Sequence, residues 1–399
     1  MLEFNTFLAE ASTSASEEKL THLEHAEDHP VNAGAEGYAH AKNTLMAVHN
    51  KLQGKKSNAT ISTKYDGSPS IVFGHHPETG KFFVASKSAF NKTPKINYSV
   101  QDIQKNHGHA PGLVGKLTTA LAHLPKVTPG KGVYQADIMH SGLKSKSNPS
   151  GDAEAHGSAV HFTPNTLTYS TKDKDETDKA KKAKMGIAIH TAYHGPSFDK
   201  LKAEYNTDTT KFDEHPDVHL IHTAHEAGKS TYTPKQAKEF ATHIAAADKA
   251  HTALSKGGYD TITDAHKEHI KTYINQTVRS GTKPSVEGLK QHISSLHQKA
   301  ADKLKTESSK ANKVAQGEQL NADVDTNEKH FNNLLKAHHH LQAAKNVLAH
   351  ALSTHTTYGH SINGKEAKPE GHVVVINNRP TKIVDREEFS RANFERTRG

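Results

Sequence analysis

The stretch Ala59-Thr60-Ile61-Ser62-Thr63-Lys64-Tyr65-Asp66-Gly67-Ser68-Pro69, followed by Ile71-Val72-Phe73, decides the fold. Residues 59–64 alternate, the period of an extended strand with one buried face. Asp66-Gly67 and Ser68-Pro69 are turn dipeptides, so residues 71–73 read as a second strand. A Pro77-Glu78-Thr79-Gly80 turn leads to a third, Phe82-Phe83-Val84-Ala85. A lysine at a strand end before a tight turn can hold an amine beside a bound phosphate. It becomes nucleophilic when neighbouring cations, a metal or desolvation lower its pKa.

Working outward, residues 38–53 read as an amphipathic helix. It follows a polar N-terminal leader and a short helix that Pro30, Asn32, Gly34 and Gly37 break. A basic turn, Gly54-Lys55-Lys56, separates that helix from the strands. Residues 112–124 have helical spacing, and 132–139 and 185–193 read as further strands. Residues 171–184 are charge-dense and are expected to form a loop too polar to pack. Residues 197–360 hold little besides Ala, His, Lys, Thr, Glu and Asp, with apolar positions such as Leu289, Ile293 and Leu296 at helical spacing. Breaks are expected near Gly257-Gly258 and from Gly281 to Pro284. The chain turns extended again at Val373-Val374-Val375-Ile376, reverses at Asn377-Asn378, and continues through Thr381-Lys382-Ile383-Val384. The expectation is an α+β fold of antiparallel sheets with helices. It comprises a leader and helix (1–45), a catalytic domain from 46–196 and 366–399, and a helical insertion domain at 197–365.

Composition sets bounds on function. The 399 residues leave room for two or three packed units, yet a hydrophobic fraction of 33% and a mean hydropathy of −0.76 imply solvent-rich stretches between the cores. Cysteine is absent, which excludes disulfides and Cys-based zinc or iron–sulfur sites. No apolar run approaches the roughly 18 residues of a membrane span, and the N-terminus lacks a secretory apolar segment. A soluble chain without a membrane partner is expected. A net charge of +8, pI near 9.2 and 33 histidines are compatible with a polyanionic partner.

Lys64-Tyr65-Asp66-Gly67 is a K-x-D-G, and the segments downstream of it resemble, in order, the motif series of the covalent nucleotidyltransferases. These are the DNA ligases, RNA ligases and capping enzymes, and the chain looks most like RNA ligases of large tailed phages. Ser86-Lys87-Ser88 stands where that family has a ribose-contacting basic residue. Val133-Tyr134-Gln135-Ala136-Asp137-Ile138 stands where it has a strand bearing an acidic residue. Gly186-Ile187-Ala188-Ile189-His190 resembles the strand that packs on adenine. Pro369-Glu370-Gly371-His372-Val373 resembles the motif whose glutamate assists a metal. Thr381-Lys382-Ile383-Val384, with Phe389 and Ser390 beyond, resembles the last core motif and its phosphate-binding lysine. The resemblance covers about 60–200 and 366–394.

The resemblance implies an ATP-grasp-like ligase adenylation (nucleotidyltransferase) domain acting through a lysyl-AMP intermediate. Lys64, Glu370 and Lys382 would be catalytic, and Lys64, Asp66, Gly67, Lys87, Asp137, His190 and Lys382 would bind the nucleotide. Glu370 and Asp137 would hold Mg2+ (or Mn2+), with ATP as cofactor and RNA or a nicked duplex as partner. Some positions depart from the pattern. The acidic residue is Asp137 rather than Glu, Ile189 or His190 replaces the aromatic residue, and Val384 replaces a second lysine. Only 17 residues follow Lys382, so no C-terminal OB-fold is expected. The helical block, with its lysines and histidines, is the expected grip on nucleic acid. Other outcomes are AMP transfer to a protein or small molecule, or a virion-associated or nucleic-acid-binding protein with a decayed ligase fold. Leu8-Ala9-Glu10-Ala11 resembles cleavage sites of phage prohead proteases, which implies the cytoplasm of an infected bacterium and packaging into a phage head. The acid–histidine stretch Glu24 to His29 and the run His338-His339-His340 carry metal-ligand residue types. Consecutive histidines on a helix point in different directions, however, so no transition-metal site is expected.

Overall fold

The computed structural model describes residues 23–205 and 207–386. The expectations for the leader, for Leu8-Ala9-Glu10-Ala11 and for Phe389 and Ser390 lie outside the described residues. The architecture is α+β. In chain order, α1 (His29–Leu52) is followed by β1 (Thr60–Lys64), β2 (Ser70–His75) and β3 (Phe82–Ser86). Next come α2 (Val100–His107), α3 (Pro111–His123), β4 (Val133–His140), β5 (Ala153–His156), β6 (Ala159–Phe162) and β7 (Thr168–Thr171). Then α4 (Lys174–Lys182) precedes β8 (Met185–His194), β9 (Lys202–Glu204) and β10 (Val218–Ile221). The helices α5 (Pro234–Leu254), α6 (Asp264–Ser280), α7 (Val286–Ala301), α8 (Glu307–Thr326) and α9 (Glu328–Leu352) form one block. The strands β11 (Tyr358–Ile362), β12 (Lys365–Glu366), β13 (Gly371–Ile376) and β14 (Arg379–Ile383) complete the order.

Three sheets result: β1-β13-β14; β10-β8-β4-β2-β3 with β9 beside β8; and β12-β11-β7-β6-β5. Among the described residues, every strand ladder is antiparallel except that of β10 with β8. The first sheet is built from chain segments about 310 residues apart, Ser62 lying opposite Val373. Its apolar face (Ile61, Val374, Ile383) packs on α1, α5 and α9 through Leu45, Phe240, Ile244, Leu341 and Leu348. The second sheet buries Ile71, Phe73 and Ile187 against Ile103 and Leu117 of α2 and α3. The chain just after β10 joins the two sheets, because Thr63 N donates to Thr223 O (2.7 Å) and His225 N to Ile61 O (2.9 Å).

Several expectations change. Residues 171–184 do not form a loop. Asp173 caps α4 by accepting from Glu176 N, Asp175 and Glu176 occupy the first turn, and Lys179, Lys181 and Lys182 the last. That order complements the helix dipole, and Thr177 and Ala180 are buried on the inner face. Residues 197–233 are not helical except for short 3-10 turns, and they supply β9 and β10; 358–366 supply β11 and β12. The long helices therefore run from 234 to 352, with the foreseen glycine breaks between α5 and α6 and between α6 and α7. The expected break at Pro30–Gly37 is a kink inside α1, where Gly34 adopts φ +55°. Among the described residues, no helix is long and apolar enough to cross a membrane.

Candidate active site

Register places the first two residues of the site. Lys64, at the end of β1, pairs with Gly371, so Glu370 lies immediately beside it. Its Nζ donates to Glu370 Oε1 at 2.5 Å. Two residues back, Ser62 lies opposite Val373, which lies opposite Lys382 on β14. The period-two geometry of strands thus puts Lys64 and Lys382 on one face. In the second sheet Ser70 pairs with Asp137, and Asp137 with Ala188, two residues before His190.

These faces wall a cleft of about 280 Å3 lined by Lys64, Lys87, Asp137, His190 and Lys382, together with Ser70, Gln135, Tyr193 and Tyr205. Five of the expected site residues therefore meet in one hollow, drawn from β1, β4, β8, β14 and the turn after β3. The floor is hydrogen-bonded: Gln135 Nε2 donates to Ser70 Oγ (2.9 Å), and Tyr193 donates to Gln135 Oε1 (2.6 Å). The His190 ring stands 3.6 Å from Asp137 Oδ1. Sequence reading missed Gln135, although it shares a strand face with Asp137 by simple alternation. It also missed Tyr205, which lies in the stretch taken as helical.

Asp66 and Gly67 have other work. The Asp66 carboxylate accepts from Thr166 N (2.8 Å), Leu167 N (3.3 Å) and Asn165 Nδ2 (2.8 Å), pinning the β6–β7 connection rather than lining the cleft. Gly67 permits a close approach. A Cβ there would lie 2.5 Å from Asp137 Cβ and 2.8 Å from Met139 Sδ.

Electrostatics separate the groups. Burial opposes ionisation of Asp137, but His190, Lys64 and the Ser70 hydroxyl outweigh it and hold the carboxyl below its usual range. Burial pushes the Glu370 carboxyl up, against the pull of Lys64. For Lys64, burial works against the ammonium, and Glu370 with Asp137 more than restores it, so the lysine rests protonated. Burial first, then the Lys64 cation, lowers Lys382 to about 8. Glu370 Oε2 is buried without a hydrogen-bond partner. Two part-buried carboxylates, one with an unused oxygen, are of the ligand type that a hard divalent cation such as Mg2+ or Mn2+ takes. Glu370 and Asp137 are the residues that would hold it.

Behind the cleft, the two histidine-bearing stretches singled out in the sequence converge. Donor atoms of Glu27, Asp28 and His338 all lie within 4.8 Å of one another. Their charge is already matched. Lys345 Nζ meets Glu27 at 2.6 Å with both side chains fully buried, and Arg386 Nη1 meets both Asp28 oxygens at 3.0 and 3.1 Å. This cluster is a structural clamp. It ties the entry of α1 to α9 and, through the Lys382 N to Glu24 O bond (2.8 Å), lies beside β14.

Comparison with curated proteins finds no match, and comparison with solved structures finds none either. One family model, described as "Family of unknown function (DUF6267)", matches residues 20–398. That span takes in both strands of the Lys64–Glu370 pairing and every wall of the cleft, and the chain belongs to this family.

Proposed function

We propose that the chain is an ATP-dependent covalent nucleotidyltransferase of the polynucleotide ligase type, RNA ligase-like, whose nucleophile is Lys64. The observation that carries this reading is the 2.5 Å contact with Glu370 of Lys64, which lines one cleft together with Asp137, His190, Lys87 and Lys382. Binding ATP brings the Lys382 cation to the phosphates, and the ammonium proton of Lys64 passes to water, since a divalent cation on Glu370 would weaken the ion pair that holds it. The free amine then attacks the α-phosphorus. The Nζ–P bond forms, the bond from that phosphorus to the bridging oxygen breaks, and pyrophosphate leaves with the electron pair. Mg2+ or Mn2+ held by Glu370 and Asp137 would supply neutralisation of the charge building on the phosphate oxygens. An oxygen of a 5′-phosphate end next takes the AMP from Lys64. A 3′-hydroxyl then displaces AMP and leaves a phosphodiester.

The test is incubation with α-labelled ATP and Mg2+, followed by denaturing separation. Label on the wild-type chain and none on Lys64→Ala supports the reading; no label on wild type overturns it. Nicked DNA, nicked RNA and a DNA–RNA hybrid then ask which acceptor receives the AMP. Labelling without transfer to any of these points to a protein or small-molecule acceptor. A binding-only protein with a decayed ligase site draws on Val384 and on Ile189 or His190 standing where the ligases have an aromatic residue, and predicts no label.

A further inference from the structure

Lysines are distributed unevenly around the cleft. Residues 81–98 contain Lys81, Lys87, Lys92 and Lys95 and no carboxylate. None of the four makes an ion pair among the described residues. In the helical block, by contrast, Lys267 meets Asp264 (2.8 Å), Lys271 meets Glu268 (3.2 Å), Lys290 meets Asp325 (2.7 Å) and Lys310 meets Glu307 (2.6 Å). Those four are neutralised where they stand, while Lys235, Lys238, Lys249 and Lys336 of the same block, like the loop lysines, make no ion pair among the described residues.

The loop is also held rigidly. Lys95 N and Asn91 N both donate to Ser88 O (3.1 and 3.3 Å), and Asn97 exchanges both backbone bonds with Val84 (3.0 and 3.1 Å). Phe90 and Ile96 turn inward onto Phe83 and Phe198, leaving residues 91–95 fully on the surface. At one end Lys87 lines the cleft. At the other, Tyr98 is 38% exposed, one of the few large hydrophobic side chains left at the surface, with its ring 6.2 Å from His76 and 6.5 Å from Phe83. The two neighbouring carboxylates are engaged: Asp102 accepts from Tyr98 N (3.0 Å) and the Ser99 hydroxyl (2.9 Å), and Glu78 from Phe198 N (3.3 Å).

We infer that the β3–α2 loop, from Lys87 through Lys92 and Lys95 to Tyr98, is the docking strip for a single-stranded polynucleotide running into the cleft. The cations meet successive phosphates, and the exposed Tyr98 ring offers a face on which an unpaired base stacks. A duplex has no free base face to offer. The direction of the strand into the cleft rests on the proposed function, but the binding itself does not.

The test measures anisotropy of a labelled single strand of about 12 nucleotides, a length within the usual site size, across a salt series. Lys92→Glu with Lys95→Glu lowers the slope of log affinity against log salt by about 1.4, since each phosphate contact on a single strand contributes about 0.7. Tyr98→Ala weakens binding about tenfold with the slope kept, in line with the loss of one base stack. Lys267→Glu with Lys271→Glu in α6 binds as wild type does. Unchanged binding in both strip variants, loss confined to the α6 variant, or equal competition by duplex overturns the inference. Labelling by α-labelled ATP is followed in parallel, together with the melting temperature to establish folding. Wild type that labels while the strip variants bind normally refutes the strip alone. Strip effects in a chain that never labels refute the proposed function alone.

Discussion

Two lysine–carboxylate pairs of nearly equal length serve opposite ends. Lys345 and Glu27 meet at 2.6 Å with no exposed surface, and Lys64 and Glu370 at 2.5 Å at the wall of a cleft. Glu27 faces Arg386 as well as Lys345, and these two cations overcome burial and hold its carboxyl at about 2. Glu370 has Lys64 and the more distant Lys382, with Asp66 acting against them, and burial wins. Distance therefore does not tell a clamp from a poised site. The balance between desolvation and the surrounding charge does.

The largest expected effect breaks the first pair. Lys345→Met leaves Glu27 buried and charged with only Arg386, 3.7 Å away, beside it, at a cost of about 3 kcal/mol. Lys64→Met leaves Glu370 able to take up a proton, and should cost about 1 kcal/mol or less while abolishing labelling. Urea midpoints of the two variants measure the contrast. Equal losses would refute the distinction.

Acid sharpens it. His140, His372 and His25 are held well below their usual pKa by burial, so they stay neutral when folded. The unfolded chain binds those protons below about 6.5, so stability falls as pH drops, by about 1.4 kcal/mol per unit for each histidine. Glu27 adds its loss only from about 4.5 down towards 2. Glu370 has the reverse sign: with its carboxyl raised, the folded state takes the proton first, and protonation relieves a cost present at neutral pH. Glu370→Gln should hold its own or gain against wild type at pH 7.5, and that standing should narrow towards pH 5. The deficit of Glu27→Gln should persist to pH 4.5. Identical pH profiles for the two would sink this account.

A smaller effect bears on the cleft wall. Gly67→Ala puts a methyl within 2.5 Å of Asp137 Cβ, so the turn or β4 must shift. The expected cost is about 1–3 kcal/mol, as for overpacking elsewhere. Labelling should fall further than the melting temperature suggests, because Asp137 moves with the clash. Loss of stability with full labelling would show that the turn yields instead.

How far the sequence revealed all this depended on strand length and reach. Alternation exposed β1, apolar runs between turn signals exposed β2 to β4, β8, β13 and β14, and Asn377-Asn378 marked the tight reversal between the last two, both residues having positive φ. The third sheet escaped because β5, β6 and β7 are four residues long and β12 two, and β5 buries one position in four, too little for a period to register. One signal was present and passed over. Asn363-Gly364, at φ 51° and 77°, is a two-residue hairpin dipeptide between β11 and β12. For 171–184, polarity was weighed and the ordering of the charges was not. The Lys64–Glu370 pairing, 306 residues apart, is invisible to local pattern, and only the resemblance in motif order pointed to it.

Lys382 lies between the two pairs, its own N–H making the bond to Glu24 O that anchors the clamp region, and on the face that carries Lys64. Burial and the Lys64 cation lower it to about 8, so it should lose its charge in the mildly alkaline range. If its cation holds the ATP phosphates, KM for ATP in the labelling reaction rises as pH passes from 7.5 to 9, by up to about tenfold for one unit above the pKa. Lys382→Arg stays charged throughout and should remove the rise, whatever it does to the absolute rate. A rise that survives in the arginine variant would assign the titration to Lys64 itself. The cleft would then be poised by its nucleophile rather than by the neighbouring cation.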